Sequence, residues 1–198
     1  MTERLSGLKV AVLATDGFEQ SELEKPVAAL KAEGAEVAVV SPKDGEIRGW
    51  DMTDWGRPAH VDEPLRTADA GAFDALVLPG GVMNPDKLRL EPRAIEFVRT
   101  FAQADKPIAA ICHGPWTLIN AEAVAGKTMT SWPSLETDLE NAGADWVDRE
   151  VVVDGRLVTS RKPDDLPAFC EKMIETFARG PRPGAGRSAG AEGRPAAP

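Results

Sequence analysis

Four short, nearly continuous apolar runs set the rhythm of the chain. Leu8-Lys9-Val10-Ala11-Val12-Leu13-Ala14 ends in the turn Thr15-Asp16-Gly17, and Glu36-Val37-Ala38-Val39-Val40-Ser41 follows Gly34. Phe73-Asp74-Ala75-Leu76-Val77-Leu78 runs into Pro79-Gly80-Gly81, and Pro107-Ile108-Ala109-Ala110-Ile111 runs into Cys112. Runs this short, without apolar/polar alternation, read as strands covered on both faces, the condition of a parallel sheet between helical layers. Helical stretches separate them, from about Ser21 to Ala32, Ala94 to Gln103 and Gly114 to Val124, so the first helix closes a βαβ unit. The pattern predicts an α/β sandwich with a central, mostly parallel sheet.

Beyond residue 130 the pattern changes. Pro133 to Asn141 predicts a short helix, and Trp146 to Val153 with Arg156 to Ser160 flank Asp154-Gly155, a strong hairpin turn that predicts an antiparallel edge. A last helix begins near Asp164 or Asp165, either of which can cap it, and carries Leu166, Phe169, Met173, Ile174 and Phe177 on one face. Cys170 lies beside that stripe and reads as a small buried apolar residue. Residues 42–70, with Trp50, Trp55, Pro58, His60 and Pro64, predict hairpin or loop structure over the sheet; His60 reads as a surface histidine. From Gly180 onward no large apolar residue occurs. One domain over 1–179 and a disordered Gly/Pro/Ala-rich tail over 180–198 are therefore expected.

Composition narrows the setting. The 198 residues are 42% hydrophobic and 28% charged, as in one globular domain with a sizeable core. Twenty-three basic against 32 acidic residues give a net charge of −9. The last eighteen residues hold three arginines against one glutamate, so the remainder carries about −11. That balance argues against nucleic acid. No apolar run approaches the roughly 18 residues of a membrane span, and the first residues lack a secretory apolar core, so a cytoplasmic protein without a membrane partner is expected. Cys112 and Cys170 sit in unlike contexts, which disfavours a disulfide, and two histidines give little support to a metal site.

The chemistry concentrates at Cys112. A strand that ends on a cysteine and passes at once into a helix makes a nucleophile elbow, which holds the side chain out of the sheet near converging backbone N–H groups. The helix terminus adds partial positive charge beside the sulfur, and a lowered thiol pKa is expected.

Several motifs in order, Gly17-Phe18-Glu19-Gln20-Ser21-Glu22-Leu23, Ala75-Leu76-Val77-Leu78-Pro79-Gly80-Gly81, Ala110-Ile111-Cys112-His113-Gly114-Pro115, Thr130-Ser131-Trp132-Pro133, and Asn141-Ala142-Gly143-Ala144 through Val158-Thr159-Ser160-Arg161, resemble the PfpI family of intracellular cysteine peptidases and deglycases. That family lies in the ThiJ/PfpI, class I glutamine amidotransferase-like superfamily, and the resemblance covers nearly all of residues 8–178. It implies a flavodoxin-like three-layer sandwich, dimers or higher homo-oligomers, no obligatory cofactor, and a site around the elbow cysteine.

Carried over by position, the resemblance makes Cys112 the nucleophile, His113 its neighbouring base and Glu22 the carboxylate near the sulfur. It makes Gly81 an oxyanion donor together with the His113 N–H; Gly80 and Trp116 join them as substrate-binding candidates. Glu22 alone reads equally as a first-turn helix acid; near the sulfur, neutral, it would donate to a thiolate, and ionised it would raise the thiol pKa. His113 is either base or structural neighbour. Trp116 and Trp132 either line the pocket or pack. Glu19 reads as a solvated or hydrogen-bonding neighbour. The family's third acid, supplied from a neighbouring subunit, falls nearest Asp86. There the loop is one residue longer and an aspartate replaces a glutamate, and Asp86 also fits the opening of a helix. The implied activity is stress-related hydrolysis of peptide bonds or of glyoxal and methylglyoxal adducts on proteins, with glutathione-independent glyoxalase chemistry as a variant. The alternative of another class is a redox sensor or holdase that oxidises Cys112 without turnover.

Overall fold

The computed structural model describes residues 3–180, so all but the first residue of the expected tail lies outside the described residues. The elements are β1 (Lys9–Leu13), β2 (Phe18–Glu19), α1 (Gln20–Ala32), β3 (Glu36–Ser41), β4 (Glu46–Asp51), β5 (Asp54–His60), β6 (Glu63–Pro64), β7 (Ala75–Leu78), α2 (Met83–Arg89) and α3 (Pro92–Gln103). They continue with β8 (Ile108–Ile111), α4 (Pro115–Asn120), β9 (Thr128–Met129), α5 (Glu136–Asn141), β10 (Asp145–Trp146), β11 (Val151–Asp154), β12 (Leu157–Ser160) and α6 (Leu166–Phe177). A seven-stranded sheet of order β11-β12-β8-β7-β1-β3-β6 forms the centre, parallel throughout except for the β11–β12 edge.

Strand periodicity divides the apolar runs between two cores. Ala11, Leu13, Leu76, Leu78, Ile108 and Ala110 face the layer of α2, α3, α4 and α5. Their neighbours Val10, Val12, Ala75, Val77, Ala109 and Ile111 face α1 and α6. This is the two-sided burial that the unbroken apolar runs demand. In the first core Phe73, Phe97 and Phe101 form a chain of edge and tilted ring contacts, with centroids 6.0 and 5.3 Å apart.

Several expected elements change shape. The edge hairpin turns at Asp154-Gly155 as expected, but its first strand begins at Val151, not Trp146. The Trp146 indole donates to Ser131 Oγ at 3.0 Å and packs on the first core, which draws it into the separate β9–β10 pair. The helix after the elbow stops at Asn120 rather than Val124. Glu122 turns left-handed at φ 59°, and the Glu122 and Ala123 N–H groups close back on the Ile119 and Leu118 carbonyls. Neither Asp164 nor Asp165 caps α6 through its side chain; Asp165 instead accepts the Arg161 guanidinium at 2.8 and 3.1 Å. Residues 42–70 form the antiparallel β4–β5 hairpin, bulged between Arg48 and Trp50, which joins β2 in a small second sheet. Residues 83–89 are a helix where a loop is expected.

Among the described residues no helix is long and apolar enough to cross a membrane. Phe101, fully buried at the end of the aromatic chain, tests the packing. Phe101→Ala is expected to lower the unfolding free energy by about 3–5 kcal/mol, read as a lower urea midpoint at unchanged slope.

Candidate active site

The site lies beyond the carboxyl ends of β1, β7 and β8, where open parallel sheets place their crevice. Cys112 follows β8 with φ 61°, a left-handed conformation that non-glycine residues rarely adopt. Both of its backbone groups are fixed from other elements. Its N–H donates to the Ser160 carbonyl at 3.0 Å at the end of β12, and its carbonyl accepts the Trp132 N–H at 2.9 Å. The elbow is thus clamped, and the sulfur cannot turn back into the sheet.

Four groups surround that sulfur. The Gly81 and His113 N–H groups lie beside it and favour its thiolate, and the Glu22 carboxyl lies beside it as well. His113 Nδ1 lies 3.3 Å from Sγ. Glu22 is fully buried in the first turn of α1, and its Oε2 accepts the Gly80 N–H at 2.9 Å. Its Oε1 is buried and has no hydrogen-bond partner among the described residues, so it is the oxygen free to carry a proton. Burial raises the Glu22 carboxyl to about 8, against the smaller lowering by the Gly80 N–H. At neutral pH the group is therefore mainly the acid, with an O–H to give to sulfur.

The thiol departs from the sequence expectation. Cys112 is only 6% exposed, and burial together with any charge on Glu22 pushes it well above its ordinary value, against the pull of the two amides. The helix that follows has six residues and cannot offset that burial. Ionisation thus depends on the local donors and on a base. Burial lowers His113 to about 4, so its imidazole is neutral at neutral pH and has a nitrogen free to accept. Its ring stacks on Trp132, 5.8 Å between centroids and 22° between planes, and lies 6.1 Å from Trp116. The Trp116 indole donates to Asp138 at 2.8 Å, and the Arg89 guanidinium covers its ring at 4.8 Å. Both tryptophans thus wall the histidine side of the site.

The double glycine is required by space. A Cβ on Gly80 would come within 2.6 Å of both Cys112 Cβ and Glu22 Oε2, and one on Gly81, at φ 75°, within 2.3 Å of the Gly17 carbonyl. The Gly80 N–H is engaged by Glu22, so among the described residues Gly81 and His113 supply the backbone amides beside the sulfur. Glu19 is buried and its carboxyl is raised by burial; its own N–H donates to the Gly80 carbonyl at 3.3 Å. Asp86 stands exposed in the first turn of α2 and makes no hydrogen bond to His113 within the described residues. His60 lies on β5, outside the cluster around Cys112. Among the described residues no group of three or more His, Cys, Asp or Glu is placed to hold a metal ion.

Sequence reasoning passes over Asn84. Fully buried, it donates to the Pro79 and Gly80 carbonyls at 3.0 and 3.2 Å and accepts the Thr15 N–H at 2.8 Å. It pins the glycine loop to the end of β1. The only signal in the sequence is an amide next to Pro85, which reads as a turn.

A family model described as DJ-1/PfpI family matches residues 8–176. Over 170 residues the chain is 45% identical to General stress protein 18 of Bacillus subtilis, covering 85% of this chain and 96% of that one. It is 44% identical over 167 residues to Putative cysteine protease YraA of the same organism (84% and 96% covered). It is 41% identical over 168 residues to Deglycase PfpI of Pyrococcus furiosus (85% and 98%). The crystal structure of Drosophila melanogaster DJ-1beta superposes with a TM-score of 0.79 at 29% identity, covering 88% of this chain and 91% of that one.

Glu22 gives a signed pH dependence. Its folded-state value, about 8, exceeds the ordinary 4.5, so its contribution to stability is complete below about pH 4.5 and is lost as pH rises through 8. Wild type is expected to lose stability relative to Glu22→Gln across that window, by up to about 1.4 kcal/mol per pH unit, in urea melts at pH 5, 6, 7 and 8. Parallel curves would mean that Glu22 is ionised in the fold.

Proposed function

The chain belongs to the DJ-1/PfpI family, and from that membership and the cluster around Cys112 we propose a cysteine-dependent hydrolase of stress-related deglycase or protease type. The observation that carries the reading is the convergence on one sulfur of two backbone amides, a carboxyl and a histidine nitrogen at 3.3 Å. Relatives named General stress protein, deglycase and putative cysteine protease support it. The substrates are proteins or peptides, cleaved at a peptide bond or relieved of a glyoxal-type adduct.

In this mechanism neutral His113 takes the Cys112 proton through Nδ1, and the thiolate is held by the Glu22 O–H and the two amides. The thiolate attacks an electrophilic carbon. As the C–S bond forms, negative charge moves to the substrate oxygen, where the Gly81 and His113 N–H groups receive it. His113 returns its proton to the departing nitrogen, and water then cleaves the covalent adduct to regenerate the thiol. Trp116 and Trp132 flank the entry beside His113. The protein works as a homo-oligomer in which Asp86, exposed on α2, orients the imidazole of a neighbouring subunit. The absence of any hydrogen bond to His113 Nε2 within the described residues supports that role.

Wild type and Cys112→Ser, assayed on a fluorogenic peptide, a methylglyoxal-modified peptide and free methylglyoxal, decide the class. Turnover of at least one substrate is expected, falling by about a thousandfold or more in the variant. Activity independent of the thiol, or inert substrates with stoichiometric oxidation of Cys112 by peroxide, would overturn the hydrolase reading. Asp86→Asn is expected to lower turnover about tenfold while the rate of Cys112 alkylation stays unchanged; undiminished turnover removes Asp86 from the mechanism.

A further inference from the structure

At the opposite end of β8 and β12 from Cys112, a cavity of about 320 Å³ opens beside Ile108 and Leu157, where those strands begin. Its apolar wall includes Ile108, Leu118 and Leu157. Four cations line it, Arg99, Lys106, Lys127 and Arg156, against two acids, Asp105 and Glu122. A positive excess in a chain of net charge −9 is unusual, and two of the cations are already satisfied. Lys106 Nζ donates to the carbonyls of Ala70, Gly71 and Phe73 at 3.0, 3.1 and 2.6 Å. Arg99 pairs with Glu96 at 2.8 Å and donates to the Asn120 carbonyl at 3.2 Å.

Arg156 and Lys127 differ. The Arg156 side chain is only 10% exposed; its Nε stands 3.7 Å from Asp105 and its Nη2 donates to the Gly180 carbonyl. Its Nη1 is buried with no hydrogen-bond partner among the described residues. A buried guanidinium N–H without an acceptor costs more than a hydrogen bond ordinarily contributes, which calls for an acceptor that the described residues do not supply. Lys127 Nζ meets Asp154 only at 3.8 Å. Two loosely paired cations beside an apolar wall fit one ligand chemistry.

The geometry points to a binding site for a small monocarboxylate, with its carboxylate on Arg156 Nη1 and Lys127 Nζ and its hydrocarbon against Ile108, Leu118 and Leu157. Asp105 and Glu122 repel a dianion, and the apolar wall would strip water from a phosphate without replacing it, so one negative charge on an apolar body fits best. The site is independent of the proposed hydrolase chemistry.

The test titrates the full chain with sodium butyrate, with butyramide and inorganic phosphate as controls, following the methyl resonances of Ile108, Leu118 and Leu157 by NMR. Saturable shifts with butyrate alone are expected. Binding should weaken about tenfold or more in Arg156→Gln and about threefold in Lys127→Gln, and persist in Cys112→Ser. Lys127→Gln decides the matter if Arg156→Gln does not fold. The proposal is overturned by butyrate shifts that fail to saturate, by equal binding of butyramide, by phosphate binding in place of butyrate, or by affinity unchanged in the Lys127 variant.

Discussion

A carboxyl group removed from water beside a sulfur also removed from water cannot readily carry a charge while the sulfur carries one. Glu22 is fully buried, Cys112 nearly so, and each shifts the other's ionisation. In such a pair the charge is best held by one member while the other keeps the proton and donates. Much of the local architecture serves that arrangement. The Gly80 N–H fixes one Glu22 oxygen, Asn84 holds the Gly80 carbonyl, and the missing Cβ of Gly80 lets carboxyl and sulfur approach. The left-handed turn at Cys112, clamped by Ser160 and Trp132, aims the sulfur at Glu22 and the two amides.

The larger scaffold was legible from residues because parallel strands covered on both faces leave an unmistakable apolar run. Val10 to Leu13, Ala75 to Leu78 and Ile108 to Ile111 all lie where their composition places them. Elements set by tertiary contacts were less visible. Trp146 leaves the edge hairpin because its indole finds Ser131, and α4 ends early at a left-handed glutamate that no propensity foretells. The helix at 83–89 hid behind Asn84-Pro85, which reads as a turn although proline also fits a first helical turn.

The site shows the same division. The elbow motif located Cys112 and the double glycine, since their residue types are dictated by backbone geometry. The ionisation of the thiol was not legible, because it depends on burial and on the protonation of a residue ninety positions away. A helix terminus taken alone points to a lowered thiol pKa; burial and a carboxyl neighbour reverse that direction. Asn84, which touches neither sulfur nor substrate, shows how a positioning residue escapes motif reasoning.

The protonation of Glu22 at neutral pH is the claim on which the chemistry rests, and difference infrared spectroscopy reads it directly. Wild type minus Glu22→Gln, recorded at pH 7, should show the C=O stretch of a protonated carboxyl, fading as the pH passes about 8. A spectrum showing only carboxylate bands for Glu22 at pH 7 would contradict the account, because an ionised neighbour would oppose the thiolate instead of holding it.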